Sequence, residues 1–475
     1  MFKNYKPGKY TSYMLFFLPL FFALFMNFSR EADTWFLLSH GRYVLENGIP
    51  YTEILSMHSN FSFIMQQWLS STIFYLIYKT FGEIGFYIFY LIINAVITYL
   101  IYKLCMVITN KKIYASTITS VLCMVILQLN FIEVRPQIFS YIILLILMII
   151  LEEFYKNEKS RLIYLLPVVS LLLINLHAAF FPIFIIVCMP FLFEYFINKD
   201  KRLIKLVVLI IIGIIVSLIN PYGIKALMYG LQSYGVGNTN SFIIEMAPFN
   251  LLGKNNKEYL LFLCIFLLVN LVMILFGNKK KYNIHMILFI YGFFVMGLLA
   301  FKNTGFYYLL AMPFMSKIIN VEDGVEEKLP YKTYLILGVI LIAFLGYKIY
   351  DKEYVLKSGI EDVINYLDNN ANKNISLYTD YKNGSYVEFY GYKPYIDTRA
   401  EVFIKKNNKK EDILDEYFKL YLGELDMRKF TDKYKFDYIL VNKYDEYYKY
   451  IKKCSDYELV YKGKDKITFI FKRNI

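Results

Sequence analysis

Long apolar segments, separated by short gaps rich in lysine, occupy most of the chain between residues 12 and 350. A bilayer core about 30 Å thick is crossed by roughly 17–25 apolar residues of a helix. The pattern therefore predicts an α-helical polytopic membrane protein with about 11 transmembrane helices. These helices are predicted over residues 12–28, 84–102, 113–130, 137–153, 162–177, 179–197, 203–219, 259–276, 284–301, 304–319 and 331–349.

Residues 61–81 are also apolar enough to cross a membrane, but the placement of the lysines indicates that they lie at its outer surface. Cytoplasmic loops carry an excess of lysine and arginine. If residues 61–81 do not cross, the N-terminus and the later lysine-rich gaps all fall on the cytoplasmic side. Gln66 and Gln67, beside Trp68, also suit an interface better than lipid. An odd number of spans then places the chain after residue 350 outside.

The chain is predicted to divide into a membrane domain, residues 1–350, and a small extracytoplasmic α/β domain, residues 351–475. The membrane domain includes a first outer loop, residues 29–83, with juxtamembrane helices. In the tail, helical spacing of apolar residues alternates with short runs of aromatic and β-branched residues. The tail's predicted helices cover residues 360–367, 410–422 and 443–453, and its predicted strands cover residues 375–379, 386–390, 438–441 and 466–472.

Composition and charge support this class of protein. Hydrophobic residues make up 57% of the chain and the mean hydropathy is +0.41, which excludes an ordinary water-soluble globule. Most of the net charge of +13 precedes residue 351, so we interpret it as a result of membrane topology and not as a nucleic-acid surface. Cys454 is the single cysteine of the tail, which therefore contains no internal disulfide framework.

Polar residues from separate loops are predicted to lie together on the outer face of the membrane. Ionisable groups near a membrane boundary are costly unless they are paired or solvated, so their convergence indicates a site. For most of these residues the alternative is an interfacial charge at a helix end. The candidates are Glu31, Asp33, His40, Arg42, Glu46, Glu53, His58 and Gln67 in the first outer loop, and Glu133, Arg135, Asn175, His177, Asn220, Glu245 and Lys302 in later loops.

Asp33 is the strongest of these candidates. It follows the first span within a few residues, and the apolar residues after it predict an amphipathic helix along the membrane surface with the carboxylate at its start. A carboxylate there could accept a proton from a sugar hydroxyl or hold a divalent cation. The structural alternative is an N-cap.

Other candidates suit a phosphate group or an acceptor. Arg135 precedes Pro136 at the start of a predicted span, where its guanidinium could bind a phosphate bidentately or extend to lipid headgroups. His177 and Lys302 are weaker phosphate contacts. In the tail, Asp397 and Arg399 could contact an acceptor or form a buried structural pair.

Several short motifs resemble those of the C-type (GT-C fold) membrane glycosyltransferases, specifically a bacterial group. In the first outer loop they are Asp33-Thr34-Trp35, Gly41-Arg42-Tyr43, Gly48-Ile49-Pro50-Tyr51-Thr52 and Gln67-Trp68-Leu69. Later ones are Arg135-Pro136-Gln137, Asn175-Leu176-His177, Asn220-Pro221-Tyr222-Gly223, Ile244-Glu245, Gly384-Ser385-Tyr386 and Ile396-Asp397-Thr398-Arg399.

The resemblance implies a multispan bundle, an acidic catalytic residue in the first outer loop and a donor sugar on a polyprenyl phosphate. It assigns the catalytic role to Asp33. Gln66 and Gln67 stand where the family pattern leads us to expect a His-Glu pair, so one titratable group is missing there.

The expected function is therefore an inverting glycosyltransferase of the bacterial cytoplasmic membrane that acts on an extracytoplasmic acceptor, which is a cell-envelope glycan, a lipid or a protein. Its expected partners are membrane lipids and the lipid-linked sugar. The alternatives are a lipid-linked saccharide flippase or transporter and a polysaccharide polymerase or ligase. A divalent cation, Mg²⁺ or Mn²⁺, stays open as a cofactor, with Glu31, Asp33, His58 and Glu245 as the candidate ligands.

Overall fold

The computed structural model of the protein describes residues 15–25, 32–233, 244–250, 256–276, 282–318, 336, 339, 340, 343, 345, 346 and 359–474. Glu31 and most of the predicted span over residues 331–349 lie outside the described residues. The chain forms two compact units. The first unit holds residues 1–28 and most of residues 84–354, and the second holds residues 29–83 together with the tail from residue 355.

Helices dominate the chain up to residue 318. In chain order they are α1 Phe17–Phe25, α2 Ala32–Asn47, α3 Trp68–Ile108, α4 Ile113–Asn130, α5 Gln137–Lys156, α6 Leu166–Leu176, α7 Phe181–Ile197, α8 Arg202–Val216, α9 Ile224–Ser233, α10 Asn256–Phe276 and α11 Ile284–Leu299. A short α-helix at Thr304–Phe306 then continues into a π-helix, Tyr307–Ala311, and a 3₁₀-helix, Met312–Lys317.

Among the described residues, five helices are long and apolar enough to cross a membrane. They are Trp68–Ile108, Ile113–Asn130, Gln137–Lys156, Ala178–Ile197 and Lys257–Leu275, and shorter apolar helices cover Arg161–Leu176 and Ile284–Leu299. The chain is therefore a membrane protein. The predicted number of about 11 spans is not confirmed, and the orientation of the chain in the bilayer stays a prediction.

The predicted surface helix over residues 61–81 begins later than expected, at Trp68. Before it, residues 61–65 are not helical, and Ser62 pairs with Thr52 in an isolated antiparallel bridge. The helix then continues past residue 81 to Ile108 with a kink at Gly82, whose φ of 64° and ψ of −162° are not helical. A positive φ costs glycine little because it has no Cβ. The two compact units divide next to this kink.

The prediction that the helix after Asp33 is amphipathic is wrong. In α2 every residue from Thr34 to Gly41 is buried, so the first half of the helix has no solvent-facing side. Trp35 packs edge-on against Tyr386 of the tail, with ring centroids 4.7 Å apart. A sequence pattern cannot reveal this burial, because the covering residues lie about 350 positions later in the chain.

The tail contains one four-stranded sheet with helices around it. The strands are β1 Leu377–Tyr378, β2 Tyr438–Asn442, β3 Tyr457–Lys462 and β4 Thr468–Arg473. Their order is β1-β2-β4-β3, with β1 parallel to β2 and the other pairs antiparallel. The helices are α12 Glu361–Asn370, α13 Tyr381–Phe389, a short α14 Lys405–Asn408, α15 Ile413–Tyr421, α16 Met427–Tyr434 and α17 Glu446–Ile451.

The predicted α/β tail is confirmed in outline, but the strand predicted over residues 386–390 is wrong, because this segment belongs to α13. The Asp380 carboxylate caps this helix, accepting hydrogen bonds from the backbone N–H groups of Lys382 at 3.0 Å and Asn383 at 2.9 Å. Such a cap satisfies donors that a helix end leaves open. Strand β3 and helices α14 and α16 were absent from the prediction.

A buried charged cluster in the first unit ties three helices together. Ring atom Nε2 of His285 lies 3.0 Å from Oε1 of Glu152, and Nδ1 contacts Oε2 of Glu194. Glu194 also accepts hydrogen bonds from the His285 backbone N–H at 2.8 Å and from the Tyr155 hydroxyl at 2.7 Å. The cluster therefore joins α5, α7 and α11 through the side chains of Glu152, Glu194 and His285.

Replacing His285 with leucine is expected to destabilise the first unit by about 3–5 kcal/mol. The side chains of Glu152 and Glu194 are only 3–4% exposed and would lose their shared partner. Unfolding can be followed by the reaction of the unit's buried thiols with a maleimide, after serine replaces Cys264 and Cys454. The buried thiols are those of Cys105, Cys123 and Cys188.

Lys159→Gln serves as the control, because Lys159 is exposed in the turn after α5. The thiols of His285→Leu should react at a lower temperature than those of the control. Equal protection of the thiols in the two variants would contradict a stabilising role for the cluster.

Candidate functional site

The predicted site residues fall into two groups, one in each unit. In the first unit, Arg135 stands just before Pro136 and α5, and its side chain is 17% exposed. Its Nε lies 3.0 Å from a carboxylate oxygen of Glu133, and its Nη1 donates to both oxygens of Glu245 at 3.2 Å. The structure thus brings Arg135 and Glu245 together, although about 110 residues separate them. A phosphate could bind this guanidinium only by competing with these carboxylates.

His177 lies between α6 and α7, where its ring is fixed on two sides. Its Nδ1 lies 3.0 Å from the hydroxyl oxygen of Ser140, one turn into α5, and its ring stacks on Phe180 with centroids 4.1 Å apart. Lys302 is near enough to act electrostatically on this ring. Lys302 and His177 are therefore within electrostatic reach of each other. Ser140 was not a candidate, because a serine inside an apolar segment carries no distinguishing signal.

The side chains of Asn175 and Asn220 form hydrogen bonds with backbone carbonyl groups. The side-chain amide of Asn175 donates to the carbonyl oxygens of Leu171 and Ile219, at 2.9 and 3.0 Å. Asn220 closes a turn by donating to the carbonyl oxygens of Ser217 and Gly223, at 2.8 and 3.1 Å. These contacts satisfy backbone groups near helix ends.

In the second unit, Asp33 lies in the first turn of α2. Its carboxylate interacts electrostatically with two groups of the tail, the hydroxyl of Tyr381 and the carboxyl of Glu401. Burial raises the pKa of both groups, and Asp33 raises them further. The amide of Gln66 donates to Oε1 of Glu401 at 3.4 Å. Asp33 therefore lies within electrostatic reach of a second carboxyl group, that of Glu401, which no local sequence pattern had singled out.

Arg399 is the centre of a buried ionic network in the same unit, and its side chain is 1% exposed. It donates to Asp397 at 2.9 and 2.5 Å and to both oxygens of Glu53 at 2.9 and 2.8 Å. It also donates to Glu388 at 3.2 Å and to Nε2 of His40 at 3.1 Å. Of the two alternatives for Asp397 and Arg399, this geometry supports the buried structural pair.

The other histidine and arginine candidates of this unit also hold structure together. His40 accepts from Arg399, and burial together with the Arg399 charge holds its pKa well below the ordinary value. His58 contacts the backbone oxygen of Tyr395 at 2.8 Å, and burial lowers the pKa of the imidazole. Arg42 donates to the backbone oxygen of Phe389 at 2.8 Å. All three bind the first outer loop to the tail.

Close backbone packing explains two of the tail motifs. A Cβ on Gly384 would lie 1.9 Å from the backbone oxygen of Ile396, so only glycine allows α13 to approach residues 396–397 this closely. The approach places the hydroxyl oxygen of Ser385 2.7 Å from that of Thr398. The two motifs are thus one packing unit that presents Asp397 and Arg399 to the network.

Glu388→Gln is expected to reduce the pH dependence of the stability of the second unit. Burial and the Asp397 charge raise the pKa of Glu388 well above its ordinary value, although Arg399 opposes this shift. A carboxyl with a raised folded-state pKa stabilises the fold below its unfolded pKa of about 4.3, and that contribution is lost as pH rises through the folded pKa. The wild type should lose stability over this range and the glutamine variant should lose less.

Both tryptophans of the chain, Trp35 and Trp68, lie in the second unit, so denaturant unfolding can be followed there by intrinsic fluorescence. Glu424→Gln is the control, because Glu424 is exposed. If stability depends on pH in the same way in Glu388→Gln and in the wild type, the pKa of Glu388 is not raised in the folded protein.

Among the described residues, no group of three or more His, Cys, Asp or Glu side chains could hold a metal ion. Of the four candidate ligands, Glu245 is paired with Arg135, and a ring nitrogen of His58 is engaged by Tyr395. Glu31 lies outside the described residues. A metal site therefore stays a prediction. Gln67, another candidate, is 5% exposed, and its Oε1 has no hydrogen-bond partner within the described part of the chain.

No protein-family model matches this chain, and neither does any curated protein sequence. Solved structures do match. The oligosaccharyltransferase of Archaeoglobus fulgidus, tethered to an acceptor peptide with the NVT sequon, superposes with a TM-score of 0.61 at 10% identity, covering 93% of this chain and 69% of that one. The same archaeal enzyme, AglB, bound to an inhibitory peptide and dolichol phosphate, gives 0.60 at 10% identity, covering 91% and 69%.

ArnT from Cupriavidus metallidurans, bound to undecaprenyl phosphate, superposes with a TM-score of 0.55 at 10% identity, and the match covers 97% of each chain. These proteins are GT-C fold glycosyltransferases. The resemblance seen in the short motifs is thereby confirmed at the level of the fold, and this chain has the GT-C fold.

Proposed function

We propose that this protein is an inverting glycosyltransferase, which transfers a sugar from a polyprenyl phosphate to an acceptor on the outer face of a bacterial cytoplasmic membrane. The observation that carries the proposal is the fold, which covers nearly the whole chain and is shared with transferases whose solved structures contain dolichol phosphate or undecaprenyl phosphate. A donor with a polyprenyl chain is dissolved in the bilayer, which explains why its enzyme would be a membrane protein.

The proposed general base is the Asp33 carboxylate. It would accept the proton of the acceptor hydroxyl while that oxygen forms a bond to the anomeric carbon of the donor. The bond between this carbon and the phosphate oxygen breaks at the same time, and polyprenyl phosphate leaves with the electron pair. The configuration at the anomeric carbon is inverted. A positioned general base typically contributes about 10²- to 10⁴-fold to the rate.

The donor phosphate is proposed to bind the cations of the first unit. Arg135 is held by Glu133 and by the half-exposed Glu245, and Lys302 lies near His177. Displacement of Glu245 by phosphate would exchange one charge-assisted hydrogen bond for another and bring a preorganised cation to the leaving group. The tail, which shares a compact unit with the first outer loop, is proposed to bind the acceptor.

A lipid-linked saccharide flippase is the second candidate, and the buried Glu152–His285–Glu194 cluster is the observation in its favour. Ionisable groups inside a membrane segment are typical of proton-coupled carriers. A polysaccharide polymerase or ligase would use the same donor class with a larger acceptor.

The deciding experiment incubates purified protein with radiolabelled polyprenyl-phosphate sugars in vesicles and measures two products. A glycosyltransferase releases polyprenyl phosphate and forms a new glycoside, whereas a flippase moves intact donor across the bilayer. Movement without cleavage would overturn the proposal. A product that grows by many sugar units would favour the polymerase.

A further inference from the structure

An open groove in the tail has the side chains of a carbohydrate-binding site. It has a volume of about 300 Å³ and lies between α12 and the segment that joins β3 to β4. Pockets of about 300–1,000 Å³ hold small molecules, so this one suits a short ligand. Its lining combines two aromatic rings, three amides and one residue of each charge, namely Tyr366, Tyr461, Asn365, Asn369, Asn370, Asp362 and Lys464.

The two tyrosines form a fixed platform. Their rings are stacked, with centroids 4.7 Å apart and planes inclined by 23°. The hydroxyl of Tyr461 donates to Oδ2 of Asp362 at 2.9 Å, and the backbone N–H of Lys464 donates to the same oxygen at 2.7 Å. These bonds hold the ring of Tyr461, and through stacking that of Tyr366, in one orientation. A pre-oriented aromatic pair reduces the entropy lost when a ligand binds.

The amides beside this platform differ in how they are engaged. Asn370 donates to the backbone oxygen of Tyr366 at 2.8 Å and so belongs to the helix end. Asn365 and Asn369 are exposed on the same side of α12, one turn apart. Each carries two N–H donors and a carbonyl acceptor, the set that can bind two neighbouring hydroxyl groups at once.

We propose that this groove binds an uncharged saccharide, with sugar C–H groups against a tyrosine ring and sugar hydroxyls on Asn365 and Asn369. The charges of the one carboxylate and the one ammonium group of the groove cancel, so the groove has no net charge. This disfavours binding of a phosphate or a strongly charged peptide. The role of this saccharide as the glycosyl acceptor rests on the proposed function. Binding itself does not depend on catalysis.

The test measures binding of cello-, malto- and chito-oligosaccharides to the full-length protein, held in a nanodisc without glycosidic detergent, by saturation-transfer NMR and calorimetry. Tyr366→Ala and Asn369→Ala should each weaken binding about tenfold, which corresponds to 1.4 kcal/mol. Tyr444→Ala is the matched control, because Tyr444 is 70% exposed elsewhere in the tail. Since Asn369 is exposed, its variant should keep the wild-type tryptophan fluorescence.

Failure of every saccharide to bind at millimolar concentration overturns the inference, as does equal binding by the wild type and both groove variants. Saccharide binding by a wild type that transfers no sugar would keep the groove and reject the proposed function. Transfer that is insensitive to both groove variants, in acceptor KM as in kcat, would keep the proposed function and reject the groove as the acceptor site.

Discussion

Asp33→Asn is expected to lower the rate of sugar transfer by about 10²- to 10⁴-fold, the usual contribution of a general base. Asparagine has nearly the same shape but cannot accept the proton of the acceptor hydroxyl. Because the change leaves donor binding intact, kcat should fall and the KM for the donor should change little. The measurement is transfer from radiolabelled undecaprenyl-phosphate sugars in membranes with matched amounts of each variant.

Glu46→Gln is the matched control, because it removes a carboxylate from the exposed end of the same helix. Tryptophan fluorescence checks that the second unit stays folded in both variants. If the Asp33→Asn variant transfers sugar as fast as the Glu46→Gln variant, the general base is another group. Glu401 is then the next residue to replace, because it is the carboxyl group within electrostatic reach of Asp33 whose pKa is raised.

Arg399→Met is expected to destabilise the second unit by about 3–5 kcal/mol, which approaches the whole stability of a small domain. The methionine fills most of the arginine's volume but leaves Glu53 and Asp397 buried without a cation. Both carboxylates are 0% exposed, so water cannot replace the lost hydrogen bonds. The measurement is the urea midpoint of the tryptophan fluorescence, which reports on this unit.

Arg428→Met is the control, because Arg428 makes a similar ion pair with Asp432 on the surface, where both side chains are more than half exposed. Solvated pairs of this kind contribute little, so its midpoint should stay close to that of the wild type. Adding Glu53→Gln to Arg399→Met should recover part of the loss by removing one uncompensated charge. Equal midpoints for the two arginine variants would refute the structural role of the network.

Local patterns predicted the parts of this protein that depend on local physics. The apolar segments predicted a membrane protein because burial of about 20 apolar residues in lipid needs no information from elsewhere in the chain. The helix that begins near Asp33 was predicted from the apolar residues that follow it, although its amphipathic character was wrong. The strand predicted over residues 386–390 failed because alternating aromatic residues fit a strand or a buried helix equally well.

The ionic network depends on contacts that no local pattern contains. His40 and Glu53 come from the first outer loop, and Glu388, Asp397 and Arg399 come from the tail, more than 300 residues later. In the sequence, His40 looks like a polar residue at the membrane interface, and Asp397 and Arg399 could contact an acceptor as well as each other. Charged side chains are seldom buried unless they are paired. The pairing that makes burial tolerable exists only after the loop and the tail have packed together.

By itself, the sequence determined the class of the protein, the helical start of the first outer loop, the α/β character of the tail and the residue types from which a site could be built. Hydropathy and helix periodicity act over a few turns, so they can be read from neighbouring residues. The tertiary structure alone decided which charges pair. It joined Arg135 to Glu245 and Arg399 to Glu53, because an ion pair forms between groups that are close in space, whatever their separation along the chain.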